Sequence, residues 1–330
     1  MAVGVRGLKM RAVVARGPSP PSGLRIEEVD WPAILNDGVL VRVHASSVNP
    51  VDLYALTPVA HAQRGFKPRV VGTDFAGTVE SVGPGVTRFQ PGDEVFGAAR
   101  GAFAERACAL ERHVVPKPPG VSFADAATLA VAGSTALQAV RNHGRIKPGQ
   151  RVLINGASGG VGTFAVQIAR SFGGEVTAVC STANVETVRS LGAHRVIDYT
   201  KEDFIEGGES YDLMLDGAGN RKWSECMRVL KAGGTYVAVG AAGVQHTRGG
   251  SWRALGHFLD IRIRSIRSGR KLALFIANLN QDDLATLGDL LSTGEVKPFI
   301  DRRYDLVSVS DAMTYLAEGH ARGKVGIDVG

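Results

Sequence analysis

Three changes of texture along the chain predict an α/β protein in two parts, a β-rich N-terminal region and a doubly wound parallel-sheet domain. First, residues 10 to about 120 alternate short apolar runs (MRAVVA, GVLVRVHAS, FAGTVESVG, EVFGAA) with Pro84-Gly85, Pro91-Gly92-Asp93 and Pro118-Pro119-Gly120, the punctuation of short strands joined by tight turns. Second, Ala124 to Val140 is Ala-rich and helical in character. It leads into a βα alternation: RVLIN, a glycine turn, the helix VGTFAVQIARSFG, the strand EVTAVC, a helix through Arg189, the strands HRVID and YDLMLDGA, a helix through KWSECMRVLKAGG, and the strand TYVAVG. Strands alternating with helices in this way build a parallel sheet. Third, after about residue 265 the pattern reads as helices (LALFIANL, DDLATLGDLLSTG), an extended piece, a helix SDAMTYLAEG and a strand KVGIDV. That segment is too small for its own core, so it is expected to return and complete the first domain. The expected boundaries are 10–125, 126–264 and 265–330, with the first nine residues as an unstructured extension.

The length of 330 residues exceeds one ordinary core and agrees with two domains. Apolar residues at 44% and charged residues at 21% are the balance of a folded globular protein. No apolar run approaches the ~20 residues that cross a bilayer, and MAVGVRGLK carries no signal-peptide pattern. Cys108, Cys180 and Cys226 are odd in number and widely spaced, which points to a reducing, cytoplasmic setting and not to a disulfide framework or metal site. The net charge of +6 suits an anionic cofactor or substrate. No nucleic-acid motif is present, so neither a membrane nor a nucleic acid is an expected partner.

The strongest local signal is the turn Gly156-Ala157-Ser158-Gly159-Gly160-Val161-Gly162 between a buried strand and a helix. A helix N-terminus offers free N–H groups and a positive dipole end to a pyrophosphate. Glycine lets the backbone turn tightly, and Gly162 lets helix and strand approach. The spacing departs from G-x-G-x-x-G, and a tight βα turn without a ligand is the alternative. The second strand of the unit ends in Ser181-Thr182-Ala183-Asn184, with no carboxylate for a ribose 2′-hydroxyl. Hydroxyls and an amide can donate to a 2′-phosphate, so NADPH is favoured over NADH; Ser181 and Thr182 could also cap the next helix.

SSVNPVDLY (46–54), VGTDFAGTVESVG (71–83), PGDEVFG (91–97), AGSTA (132–136), NGASGGVG (155–162), LGAHRVIDY (191–199) and GKVGI (323–327) together make the chain resemble the medium-chain dehydrogenase/reductase superfamily, in its zinc-free quinone oxidoreductase branch. The resemblance covers nearly the whole chain from Met10. It implies a GroES-like β-rich catalytic domain, a Rossmann domain and an active-site cleft between them. Zinc-dependent members place a Cys near the start of the first motif and a His-Glu pair in the second, where this chain has Ser47-Val48-Asn49 and Gly72-Thr73-Asp74. They also carry four closely spaced cysteines, where this chain has only Cys108. No metal site is expected. Without a metal to acidify an alcohol, the easier task is hydride transfer to an acceptor whose own conjugation spreads the charge, a quinone or an α,β-unsaturated carbonyl.

The resemblance implies roles for single residues. Asn49 and Tyr54 line the nicotinamide cleft, with Tyr54 orienting the substrate or acting as a packing aromatic. Thr135 lies near the reactive nicotinamide carbon or serves as a helix N-cap. Asp52 holds the loop. Tyr199 flanks the adenosine phosphate. Asp216 and Gly240-Ala241 end the fourth and fifth strands at the ligand edge. Lys324 matches a lysine near the cofactor, with a surface lysine as the alternative. Enoyl reductases of the superfamily carry a later proton-donating Tyr; here Pro58-Val59-Ala60-His61 has none, and His61 is either a substitute donor or a solvated loop histidine. Arg262, Arg264, Arg267, Arg270 and Lys271 form a basic run, read as a solvated sheet edge or as a rim for a phosphate-bearing substrate. The expected function is a zinc-independent NADPH-dependent quinone or enone reductase, a homodimer joined through the TYVAVG edge of the Rossmann sheet. The alternatives are an enoyl-thioester reductase and a non-catalytic NADPH-binding protein.

Overall fold

A computed structural model describes residues 7–65, 67–239 and 269–330. The chain divides into two compact units. One comprises residues up to Ser134 together with Leu279–Gly294 and Pro298–Gly330, and the other Thr135–Asn278 with Glu295–Lys297.

The first unit is the β-rich one. The strands Gly38–Val48 and Asp74–Val82 are buried over most of their length, and Val39, Val41, Val43, Phe75 and Val79 form one core with Val95, Phe103 and Val114. The main sheet runs Ile300–Asp305, Lys324–Asp328, Gly38–Val48, Asp74–Val82, Glu94–Ala98 and Val114–Pro116, with Arg106–Leu110 also paired to Gly38–Val48. Two strands of the C-terminal segment, Ile300–Asp305 and Lys324–Asp328, thus lie in this sheet. The last strand lies antiparallel to Gly38–Val48 with Val325 opposite Val48, while Ser47 stands opposite Asp74 on the other side. A second, three-stranded sheet orders Arg25–Asp30, Lys9–Ala15 and Arg69–Val70. Residues 126–134 join this unit rather than the next because Ala126, Leu129 and Ala132 are buried and Gly133 packs against Leu287 of the helix Gln281–Ser292.

The second unit is a parallel six-stranded sheet in the order Arg195–Asp198, Glu175–Cys180, Arg151–Asn155, Tyr211–Asp216, Leu230–Ala238, Lys271–Leu274. Chain order reverses beside Arg151–Asn155, and dinucleotides bind at the carboxyl edge of such a switch point. Two expectations change here. LALFIANL is not a helix: Lys271–Leu274 is a strand paired to Leu230–Ala238. A short apolar run carries no periodicity that separates a buried strand from a helix. By the same pairing, the TYVAVG strand is internal, and among the described residues the edge on this side is Lys271–Leu274.

Candidate active site

In the catalytic domain the second motif strand and the last strand deliver polar groups to one buried point. Asn49 ends the strand Gly38–Val48 and caps the helix Pro50–Tyr54, where Pro50 begins the helix at the position suited to its missing N–H. The Asn49 backbone N–H donates to Asp52 Oδ2 (2.8 Å) and the Thr73 hydroxyl to Asp52 Oδ1 (2.7 Å). The Asn49 side-chain amide donates to Asp74 Oδ2 (2.8 Å) and to the Ser47 carbonyl (3.3 Å). The Ser47 hydroxyl also donates to Asp74 Oδ2 (2.8 Å), and the Val131 N–H to Asp74 Oδ1 (3.0 Å). Lys324 closes the cluster: its ammonium donates to Asn49 Oδ1 at 2.6 Å and lies 3.5 Å from Asp74 Oδ2. Lys324 is 2% exposed, Asn49 1% and Asp74 0%. Burial pushes the Asp52 carboxyl up to about 7, with the nearby Asp74 charge adding to it against the Thr73 and Asn49 hydrogen bonds. Burial lowers the Lys324 ammonium, against the pull of Asp74 and Asp52.

These donors do not fit zinc. Among the described residues no group of three or more His, Cys, Asp or Glu can hold a metal. Protein zinc sites of this kind are built on Cys sulfur and His nitrogen, with carboxylates as additional ligands, whereas here the Asn49 amide oxygen and the Asp74 carboxylate already meet an ammonium, and the Ser47 hydroxyl donates to that carboxylate.

The other catalytic-domain positions differ from expectation in detail. Tyr54 is 44% exposed, and its hydroxyl makes one long contact with Gln63 Oε1 (3.5 Å). His61 is not a solvated loop histidine: it lies fully buried on the helix Pro58–Arg64, and burial, then the Arg69 charge, lowers its imidazole. Lys324 is not a surface lysine. Thr135, half-buried, stands inside the helix Ala130–Leu137 and not at its cap.

In the parallel-sheet unit the glycine turn has the shape a pyrophosphate needs. Gly156 sits at φ +85°, and a Cβ on Gly162 would come 2.2 Å from the Gly156 carbonyl oxygen. Ser158 and Gly159 lead into the helix Gly160–Ser171, so Gly160, Val161 and Gly162 carry N–H groups without intrahelical acceptors. A Cβ on Gly159 would meet nothing nearer than 3.5 Å, which leaves the turn open to a ligand. Asn155 at the switch point donates to Asp216 Oδ1 (2.9 Å), which also accepts from Gly219 N (2.8 Å), while the Tyr236 hydroxyl donates to Asp216 Oδ2 (2.6 Å). Asp216 therefore shapes the loop that follows its strand.

At the end of the second strand, Asn184 Nδ2 donates to Ser158 Oγ (3.2 Å) and Ser181 Oγ (3.1 Å), and its buried Oδ1 has no partner among the described residues. Amide O and N are assigned from such networks; turned over, the same amide keeps both serines as donors to it and offers N–H groups where the orphan oxygen lies. These residues fit an anionic cofactor end. Thr182 instead donates to Asp198 Oδ2 (2.6 Å), and Thr200 to Asp198 Oδ1 (2.7 Å). Those bonds, led by that of Thr182, hold Asp198 well below the usual carboxylate range. Asp198 was missed because it ends the third strand, and only the register opposite Cys180 brings it beside the second. Tyr199, next in the chain, is exposed. Gly240, Ala241, Arg262, Arg264 and Arg267 lie outside the described residues, as do the first six. Arg270 does not join a free rim: its guanidinium donates twice to the Leu230 carbonyl (3.0 and 2.8 Å).

The raised Asp52 carboxyl sets a pH dependence. Its folded pKa of about 7 exceeds the ordinary 3.8, so its favourable contribution is complete below about 4 and is lost as pH rises through about 7. Asp52→Asn should therefore gain on the wild type between pH 5 and pH 8, by on the order of 1–3 kcal/mol. Denaturant melts at the two pH values measure this, and parallel stabilities would contradict it. Gly162→Ala should unfold at lower denaturant and lose NADPH binding, since the clash is with backbone; wild-type binding by fluorescence titration would count against the turn as the cofactor cradle.

Residues 36–119 match the alcohol dehydrogenase GroES-like domain model and residues 191–325 the zinc-binding dehydrogenase model. The chain is 33% identical to the mitochondrial NAD(P)H oxidoreductase RTN4IP1 of Mus musculus, over 88% of this chain and 81% of that one. It is 33% identical to the 2-methylene-furan-3-one reductase of Solanum lycopersicum, over 92% and 74%. The quinone oxidoreductase of Coxiella burnetii superposes with a TM-score of 0.86 at 30% identity, over 98% of this chain and 100% of that one. The chain belongs to the medium-chain dehydrogenase/reductase superfamily, in its quinone oxidoreductase-like branch, and is an NAD(P)H oxidoreductase.

Proposed function

We propose that the protein is an NADPH-dependent reductase of quinones or α,β-unsaturated carbonyls that works without zinc. The observation that carries this reading is the buried ammonium of Lys324 held by Asn49 Oδ1 and Asp74 Oδ2, in the two motifs where zinc-dependent relatives would carry ligands. With no Lewis acid to activate an alcohol, the substrate must hold the arriving charge in its own conjugation. The names of two relatives, a quinone oxidoreductase and a 2-methylene-furan-3-one reductase, describe such acceptors.

NADPH, when bound, supplies the hydride. The turn Gly156–Gly162 and the N-terminus of the helix Gly160–Ser171 would hold its pyrophosphate. Ser181 and Asn184 would donate to the 2′-phosphate, with Tyr199 beside them. Thr135 would lie near the nicotinamide. In the catalytic domain the half-exposed Tyr54, whose hydroxyl makes only a long contact with Gln63, would hydrogen-bond a substrate carbonyl oxygen, while Asn49 holds the start of the helix on which Tyr54 stands. Solvent can protonate the reduced product.

The three cysteines are free thiols, and no helix among the described residues is long and apolar enough to cross a membrane; a cytoplasmic enzyme is our reading of the first. For assembly, we assign a homodimer to the strand Lys271–Leu274, the edge among the described residues, where Leu274 is exposed and Ile276, two residues beyond it, is 96% exposed. Sedimentation should give a dimer at micromolar concentration, and a monomer would refute it.

NADPH should bind more tightly than NADH. Ser181→Asp should weaken NADPH by roughly 1–3 kcal/mol through charge repulsion and a lost hydrogen bond. Equal affinities for the two cofactors by fluorescence titration would overturn the assignment. In steady-state assays with quinones and enones, Tyr54→Phe should lower turnover by about tenfold to a hundredfold with NADPH affinity retained. Unaltered kinetics across both substrate classes would remove Tyr54 from the chemistry.

A further inference from the structure

We propose that Lys324 is a positioning residue whose ammonium, tethered by the last strand, takes the organising place of a metal ion in the catalytic domain. Lysine is almost never fully buried unless paired, and this one is 2% exposed. Its partners come from separate stretches of chain: Asn49 from the end of the long strand and Asp74 from the start of the next. Through Asp74 it reaches the Ser47 hydroxyl and the first turn of the helix Ala130–Leu137 at Val131 N. One cation gathering donors from distant segments is how a structural metal acts.

The hydrogen-bond inventory shows what the ammonium fixes. An amide offers two N–H donors and one oxygen. The Asn49 donors both go to fixed acceptors, Asp74 Oδ2 and the Ser47 carbonyl, and its oxygen receives Lys324. The carboxylate on one side and the ammonium on the other leave the amide a single orientation. Asn49 thus has no donor left for a substrate, and its part is to hold the start of the helix that carries Tyr54. Lys324 in turn acts through Asn49 and Asp74, not as a ligand of the cofactor.

The test is a double-mutant cycle with Lys324→Met, Asp74→Asn and the pair together, read by thermal unfolding and by kinetics. Each single variant should melt earlier, because each strands a buried charge, and the double variant should recover most of that loss. Lys324→Met should lower turnover about tenfold or more while NADPH affinity stays within about twofold, and Lys324→Arg, which keeps the charge, should retain more activity than Met. Additive losses of stability would overturn the proposal, as would a Lys324→Met enzyme that loses NADPH affinity with turnover unchanged. If Lys324→Met does not fold, folding of the double variant supports the proposal and its failure refutes it. The activity arm rests on the reductase reading. A wild type that oxidises NADPH with no quinone or enone would sink that reading alone, and the stability cycle would still decide the role of Lys324.

Discussion

An ammonium taken out of water costs several kcal/mol unless its surroundings replace the lost hydration. Lys324 meets that requirement with the Asp74 carboxylate and the Asn49 carbonyl, and the arrangement works only in one register. Val325 lies opposite Val48, and Ser47 opposite Asp74. A slip of one residue in the last strand would turn the lysine to the other face of the sheet and leave Asp74 buried with its counter-charge gone. The ion pair therefore ties the last strand of the chain to the first motif and closes the catalytic domain. The nearby Asp52 is pushed toward its neutral form chiefly by its own burial, with the Asp74 charge adding to it and the Lys324 ammonium opposing it.

The cofactor unit relies on backbone space instead of charge. Gly162 approaches the Gly156 carbonyl so closely that no side chain fits between them. Asp216 is saturated by Asn155, Gly219 and Tyr236 and holds the adjoining loop. What remains open is the helix N-terminus and the Ser158–Ser181–Asn184 group, neutral donors and acceptors suited to an anion. On the proposed reading, a catalytic domain organised by an internal cation and a cofactor unit with room for phosphate serve the same chemistry, hydride delivered to an acceptor that stabilises its own charge.

The two-part architecture was legible because turn punctuation and βα alternation are local signals, and the glycine turn because only glycine meets its geometry. The resemblance singled out Lys324 as a lysine near the cofactor, but its pairing with Asn49 and Asp74 was not legible: Lys324 is distant in sequence, and only antiparallel register carries it to Asn49. Asp198 escaped for the same reason, its place set by a parallel neighbour. Lys271–Leu274 was misread as helix because a short apolar run does not declare its period, and with it the sheet edge moved one strand outward. His61 looked solvated because its neighbours suggest a loop, whereas Thr57 and Pro58 start a helix that turns it inward.

The central claim is that an ammonium, not a metal, organises the catalytic domain of a working reductase. Elemental analysis of the purified protein, paired with NADPH oxidation by a quinone or enone before and after exhaustive chelation, tests it most directly. The account predicts no stoichiometric zinc and the same turnover in both assays. One equivalent of tightly held zinc, with activity lost on its removal and restored on its return, would contradict it.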